Sequence, residues 1–155
     1  MGEQRRNILV VEDDVAIRDL LIDVLTDEGY TVRIAGDGEE ALAILEDWHP
    51  ALIILDQLMP RMDGAAFRVA QRSRPAIAMI PTILLSAVRN LSEQAISLDI
   101  AATIAKPFNL DDLLQLAGEL IAAAERGTTG HAETLHPVSP GMSSRRDTLD
   151  DGALP

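Results

Sequence analysis

Asn7-Ile8-Leu9-Val10-Val11-Glu12-Asp13-Asp14 is a short apolar, β-branched run that stops abruptly at three acidic residues. Such a run, apolar without alternation, reads as a strand buried on both faces, as in a parallel sheet. Ile17, Leu20, Leu21, Val24 and Leu25 then recur at helical spacing, and Gly29 closes that helix. Strand followed by helix is the unit that the rest of the chain repeats.

A second strand is expected at Thr31–Ala35, and a second helix from Asp37 or Gly38, carrying Ala41, Leu42, Ile44 and Leu45 and stopping before Pro50. Residues 52–55 form a third buried strand with Asp56 at its end. After the turn Met59-Pro60-Arg61-Met62-Asp63-Gly64, a third helix carries Ala65, Phe67, Val69 and Ala70. Pro81 opens a fourth strand over residues 82–85 that ends in Ser86, and residues 90–98 are weakly helical. A fifth strand, 103–105, leads into Lys106-Pro107-Phe108. Asn109 caps a last helix striped by Leu110, Leu113, Leu114, Leu116, Leu120 and Ile121. Five strands alternating with five helices imply a doubly wound α/β fold, a parallel sheet covered on both faces. Residues 127–155 are rich in Gly, Ser, Thr, Pro and Asp without sustained period. They read as a disordered tail behind a single domain of residues 1–126.

Composition narrows the function. Nearly half of the 155 residues are apolar but only four are aromatic, so Ala, Leu, Ile and Val must fill the interior. There is no cysteine, which excludes disulfides and thiolate metal sites. The formal net charge is −12, and the only basic doublets, Arg5-Arg6 and Arg145-Arg146, lie near the ends. A basic patch that neutralises phosphates is therefore lacking, and no nucleic-acid partner is expected. No apolar run approaches the roughly 18–20 residues that span a bilayer, and Met1-Gly2-Glu3-Gln4-Arg5-Arg6 lacks a signal-peptide core. No membrane contact and a cytoplasmic location are expected.

In a parallel α/β sheet, ligands bind outside the carboxyl ends of the strands. The residues there are Glu12 and Asp13, then Asp56, Ser86 and Lys106. Lys106 is the sole lysine among thirteen basic residues, the others all being arginine. A lysine is a compact point charge on a flexible stem, suited to a small anion on a cramped rim, where arginine's planar fork fits less well. Three carboxylates close together raise one another's pKa unless a cation intervenes. Mg²⁺ suits such a place, since it takes one or two protein carboxylates, keeps waters and shares phosphate oxygens. Asp56 at the centre is then a nucleophile able to form an aspartyl-phosphate, with Lys106 and the Ser86 hydroxyl neutralising and hydrogen-bonding the phosphoryl oxygens.

Ile8-Leu9-Val10-Val11-Glu12-Asp13-Asp14, Leu52-Ile53-Ile54-Leu55-Asp56-Gln57-Leu58-Met59-Pro60 with Asp63-Gly64, Leu84-Leu85-Ser86-Ala87 and Ala105-Lys106-Pro107-Phe108 closely resemble the motifs of response-regulator receiver domains. The likeness keeps order and spacing over about residues 7–125. It implies a flavodoxin-like (βα)5 fold with strand order 2-1-3-4-5. It also implies that Asp56 accepts a phosphoryl group from a phosphohistidine of a sensor histidine kinase or phosphotransfer protein. Asp13 and Asp56 would ligate Mg²⁺ directly, Glu12 through water, and Leu58 through its backbone carbonyl. Ser86 and Lys106 would contact the phosphoryl oxygens, and the Lys106-Pro107 bond would be cis.

Some positions depart from the family pattern. Thr103 stands where receivers usually carry the aromatic residue whose rotation reports phosphorylation, so the usual aromatic is missing from the switch position. Leu58 and Val88, at the two positions that tune phosphate lifetime, are both apolar, which implies a long-lived aspartyl-phosphate. Other polar features read as structural. Gly36-Asp37-Gly38 lacks a GKS/GKT continuation and reads as a turn and helix start, Asp14 as a helix cap, and Trp48 and Phe108 as packing; His49, His131 and His136 lack ligand spacing.

With only tail-like residues after the last helix, the expected protein is a stand-alone receiver. It is a phosphoacceptor switch rather than an enzyme, acting on another protein or relaying phosphate. One alternative is a receiver-fold adaptor independent of phosphorylation. Another, an aspartate-nucleophile phosphatase, would need a general-acid Asp where Leu58 stands.

Overall fold

The computed structural model describes residues 6–87 and 100–126. The helix expected over residues 90–98, the position of Val88 and residues 127–155 lie outside the described residues. The described elements are β1 (Asn7–Val11), α1 (Val15–Asp27), β2 (Thr31–Ala35), α2 (Gly38–Ile44), β3 (Leu52–Asp56), α3 (Gly64–Arg72), β4 (Thr82–Ser86), β5 (Ala102–Ala105) and α4 (Leu110–Glu125). All strands are parallel, in the order β2-β1-β3-β4-β5.

This order follows from where the apolar residues sit. Along β1, Ile8 and Val10 face one layer, with Leu21 and Leu25 of α1 and Leu113, Leu116, Ala117 and Ile121 of α4. Leu9 and Val11 face the other, with Ala41, Leu42 and Leu45 at α2 and Phe67 of α3. Successive strand side chains point to opposite faces, so a run without alternation has helices on both sides. The central strands β3 and β4 are buried throughout, whereas the edge strand β2 exposes Thr31 and Arg33. Two apolar residues read onto helix stripes face water instead: Leu20 is 46% and Val69 63% exposed. Trp48 packs half-buried against the second core layer, with the Arg33 guanidinium 4.7 Å from its ring centroid. Phe108 packs against the first layer.

Parallel strands joined by helices put every strand-to-helix turn at the same rim. Each of the four described helices begins there with an acidic or amide cap, Asp14, Asp37, Asp63 or Asn109, whose side chain accepts from backbone N–H groups of the first turn. Asp14 takes the N–H groups of Ala16 and Ile17 at 2.9 and 3.2 Å, so the last of the three acids after β1 serves the helix. Glu12 and Asp13 are left for the rim itself.

Candidate functional site

Glu12 and Asp13 follow β1, and Asp56 ends β3, the strand paired with it. One carboxylate oxygen from each lies within 4.8 Å of the others. Glu12 and Asp56 are buried, while Asp13 is exposed at the mouth. Lys106, just past β5, reaches across so that Nζ lies 2.7 Å from Asp56 Oδ1 and 3.6 Å from Glu12 Oε1. Its backbone N–H donates to the Ser86 carbonyl at 2.9 Å, continuing the β4–β5 ladder. Leu85 pairs with Asp56 and Ser86 with Ala105, so buried Ser86 ends the strand between Asp56 and Lys106.

The lysine does not neutralise this much negative charge. The Glu12 carboxyl is pushed up to about 7, by burial first and by the Asp56 charge second, against the Asp14 N–H and Lys106. Burial likewise raises Asp56 above the ordinary carboxylate value, although the hydrogen bond and charge of Lys106 pull the other way. For Lys106, burial favours the neutral amine, but the hydrogen bond and charge of Asp56 and the charge of Glu12 outweigh it and raise its pKa.

This donor set fits a hard divalent cation. It consists of carboxylate oxygens only, and Glu12 Oε1 is buried without a hydrogen bond. Oxygens bound at about 2.0–2.1 Å to one Mg²⁺ lie about 3–4 Å apart, so the cluster would close slightly or admit a water. A phosphate oxyanion would find Lys106 on the same rim.

Leu58 stands in the turn after β3 with 66% exposure. Thr103 lies half-buried inside β5, paired with Leu84. The Lys106-Pro107 bond is cis. Two features of the rim went unread in the sequence: an ion pair between Asp37 and Arg61, and the close approach of Gly64 to the end of β3. A Cβ on Gly64 would lie 2.7 Å from the Asp56 carbonyl oxygen and 3.0 Å from Gln57 Cα. Asp-Gly after a buried strand was the available signal for the second. Nothing in the spacing of residues 37 and 61 announces the first.

A five-stranded parallel sheet in this order, with carboxylates and one ammonium at its carboxyl edge, defines a flavodoxin-like α/β domain with an acidic rim. The chain belongs to the response regulator receiver domain family, whose model matches residues 8–117. The probable transcriptional regulator ycf27 of Cyanophora paradoxa is 36% identical over 136 residues, covering 86% of this chain and 56% of that protein. The crystal structure of a CheY-like response regulator receiver domain protein from Methanospirillum hungatei has a TM-score of 0.71 and 31% identity, over 79% of this chain and 98% of that one. The response regulator TrrA of Thermotoga maritima, solved in complex with Mg²⁺ and BeF, has a TM-score of 0.67 and 33% identity, over 74% and 98% of the two chains.

The chain spans about half the length of the curated relatives it matches. The expectation that nucleic acid plays no part finds no support in them, since several are named as probable transcriptional regulators. Among the described residues no helix is long and apolar enough to cross a membrane.

Proposed function

We propose that this receiver takes a phosphoryl group onto Asp56 from a phosphohistidine of a sensor kinase or phosphotransfer protein, with Mg²⁺ bound at Glu12, Asp13 and Asp56. The observation that carries this is the placement of Lys106 Nζ 2.7 Å from Asp56 Oδ1, beside an acidic cluster that one lysine does not neutralise. A carboxylate oxygen of Asp56 attacks phosphorus, the phosphorus–nitrogen bond of the donor breaks, and the departing imidazole takes up a proton. Bound Mg²⁺ supplies charge neutralisation for the equatorial phosphoryl oxygens. Asp13 and Asp56 would hold it directly, Glu12 through water, and the Leu58 carbonyl would complete the protein's share. Lys106 then leaves the Asp56 carboxylate for a phosphoryl oxygen, and the Ser86 hydroxyl donates to another.

The new group brings roughly −1.5 to −2 charge to the rim, which biases the surface offered to a downstream protein or relays onward. Thr103 puts a hydroxyl where an aromatic ring would rotate, so the response does not run through a ring at that position. The similar receiver solved with Mg²⁺ and BeF supports the choice of test. Amide NMR shifts of the full chain are recorded with Mg²⁺ and beryllofluoride. The wild type is expected to respond around residues 12, 56, 86, 103 and 106, and Asp56→Asn is expected to stay silent. Equal responses of the two proteins would remove Asp56 from the reaction.

Exposed Leu58, two residues after Asp56, offers no polar atom to orient an attacking water. Leu58→Asn is therefore expected to shorten the aspartyl-phosphate lifetime several-fold in a single-turnover dephosphorylation assay. A lifetime unchanged in that variant would strip Leu58 of this role.

A further inference from the structure

We propose that Arg61 is a positioning residue for the cation site: through its ion pair with buried Asp37 it holds the turn that carries Leu58. The proposal rests on the reading that Mg²⁺ binds at Glu12, Asp13 and Asp56 with the Leu58 carbonyl as a further ligand.

Arg61 has φ +61°, the one non-glycine residue with positive φ among those described. A long side chain gains nothing from that backbone region and usually avoids it, so surrounding contacts must hold it there. Those contacts are specific. Arg61 Nε donates to Asp37 Oδ2 at 2.6 Å, and its Nη2 lies 2.5 Å from the same oxygen. Asp37 is only 3% exposed, and its Oδ1 accepts the Glu40 N–H at 2.9 Å at the start of α2. The carboxylate is thereby fixed on a helix end and offers Arg61 a firm anchor. The Glu40 N–H, then Arg61, keep it ionised below the usual carboxylate range despite burial.

The neighbouring residue reinforces the seam. Gly38 N–H donates to the Met62 carbonyl at 3.1 Å. The Met62 side chain covers Gly38 so closely that a Cβ there would lie 2.6 Å from Met62 Cγ. At its other end the turn is tied to the sheet: Gln57 N–H donates to the Leu85 carbonyl at 3.0 Å, and Gly64 N–H to the Gln57 carbonyl at 2.9 Å. Leu58 stands between these two fixings, exposed and outside the helices and strands. Its carbonyl is placed by the fixings and not by packing of its own side chain. Loosening the Arg61 end should therefore cost cation affinity.

The Arg61 side chain is 62% exposed, so water screens the pair and the effect is moderate. Partners that orient metal ligands commonly contribute about 10–100-fold in affinity, and a screened one about three- to tenfold. Mg²⁺ dissociation constants are measured calorimetrically at low ionic strength on the full chain. The proteins are wild type, Arg61→Gly, Asp37→Asn, the double variant and Asp13→Asn. Glycine accepts positive φ, so Arg61→Gly removes the pair without straining the turn. Asparagine still caps α2, so Asp37→Asn removes the charge and keeps the cap.

Each single variant is expected to bind Mg²⁺ about three- to tenfold more weakly, and the double variant no more weakly than either, as members of one pair behave. Singles with wild-type affinity, or a double variant with additive losses, overturn the role of Arg61. So does a lowered melting temperature in EDTA with unchanged Mg²⁺ affinity, which marks a merely structural contact. A wild type that binds no Mg²⁺, or binding undiminished by Asp13→Asn, overturns the cation-site reading itself, and Arg61's role with it.

Discussion

Glu12 meets both constraints of the rim: it is 1% exposed and lies beside Asp56. Its folded pKa of about 7 stands above the ordinary 4.5, so the carboxyl favours folding fully below about pH 4.5 and loses that contribution as pH rises through about 7. A tenfold change in acidity corresponds to about 1.4 kcal/mol, so the loss is about 3 kcal/mol at most. Glu12→Gln removes it, and the glutamine oxygen can still accept the Asp14 N–H that Glu12 Oε2 takes at 3.2 Å. In EDTA, this variant is expected to match wild type near pH 4.5 and to exceed it by about 1–3 kcal/mol at pH 8, measured by urea unfolding. A variant weaker than wild type at pH 8 would mean that the carboxylate is satisfied in the folded protein. At this scale the sequence was legible where chemistry repeats a simple rule. Acids at strand ends and a sole lysine pointed to one rim, and the rim brings Glu12, Asp13, Asp56 and Lys106 together. The Asp37–Arg61 pair was not legible, because two residues 24 apart in the chain meet only through the placing of two turns.

Strand ends and helix starts are where elements meet the site, and α3 shows how tightly. Asp63 caps it by accepting the Ala66 N–H at 2.9 Å, and Gly64 opens it against the end of β3. These neighbours should separate in experiment. Asp63→Ala gives up the cap, costing about 1 kcal/mol of stability, and leaves the approach to Asp56 intact. Gly64→Ala pushes a methyl against the Asp56 carbonyl oxygen and Gln57 Cα, backbone atoms that must shift to admit it. It is expected to cost about 1–3 kcal/mol and also to weaken Mg²⁺ binding, which Asp63→Ala does not. Equal Mg²⁺ affinity in the two variants would show that the start of α3 can shift without moving Asp56. Capping residues made helix starts readable from sequence. The far end of α3 was not, since it is fixed by tertiary partners: Gln71 Nε2 donates to the Ile77 and Ile80 carbonyls, while its Oε1 accepts from Arg68 and Thr82. Val69 shows the same limit, an apolar residue inside a helical pattern whose face the fold turns outward.

For the whole molecule, the acidic rim is a cost that a bound cation would offset. The apolar layers on either face of the sheet hold the carboxylates in place although their charges repel, which is why burial raises both Glu12 and Asp56. A ligand that binds only the folded state adds stability by mass action, about 2.7 kcal/mol at a hundredfold excess over its dissociation constant. For a domain of this size that corresponds to a rise of roughly 5–10 °C in melting temperature. Mg²⁺ at that excess is therefore expected to raise the melting temperature by this amount at pH 8, and by less at about pH 5.5, where protonated Glu12 competes with the cation. Asp56→Asn should behave oppositely. Removing one of three crowded charges relieves repulsion, so the metal-free variant should melt above metal-free wild type while gaining much less from Mg²⁺. Calorimetric scans of both proteins with EDTA and with Mg²⁺ decide it. If Asp56→Asn melts below wild type in EDTA, the Lys106–Asp56 ion pair outweighs the repulsion, and the rim is balanced without a metal.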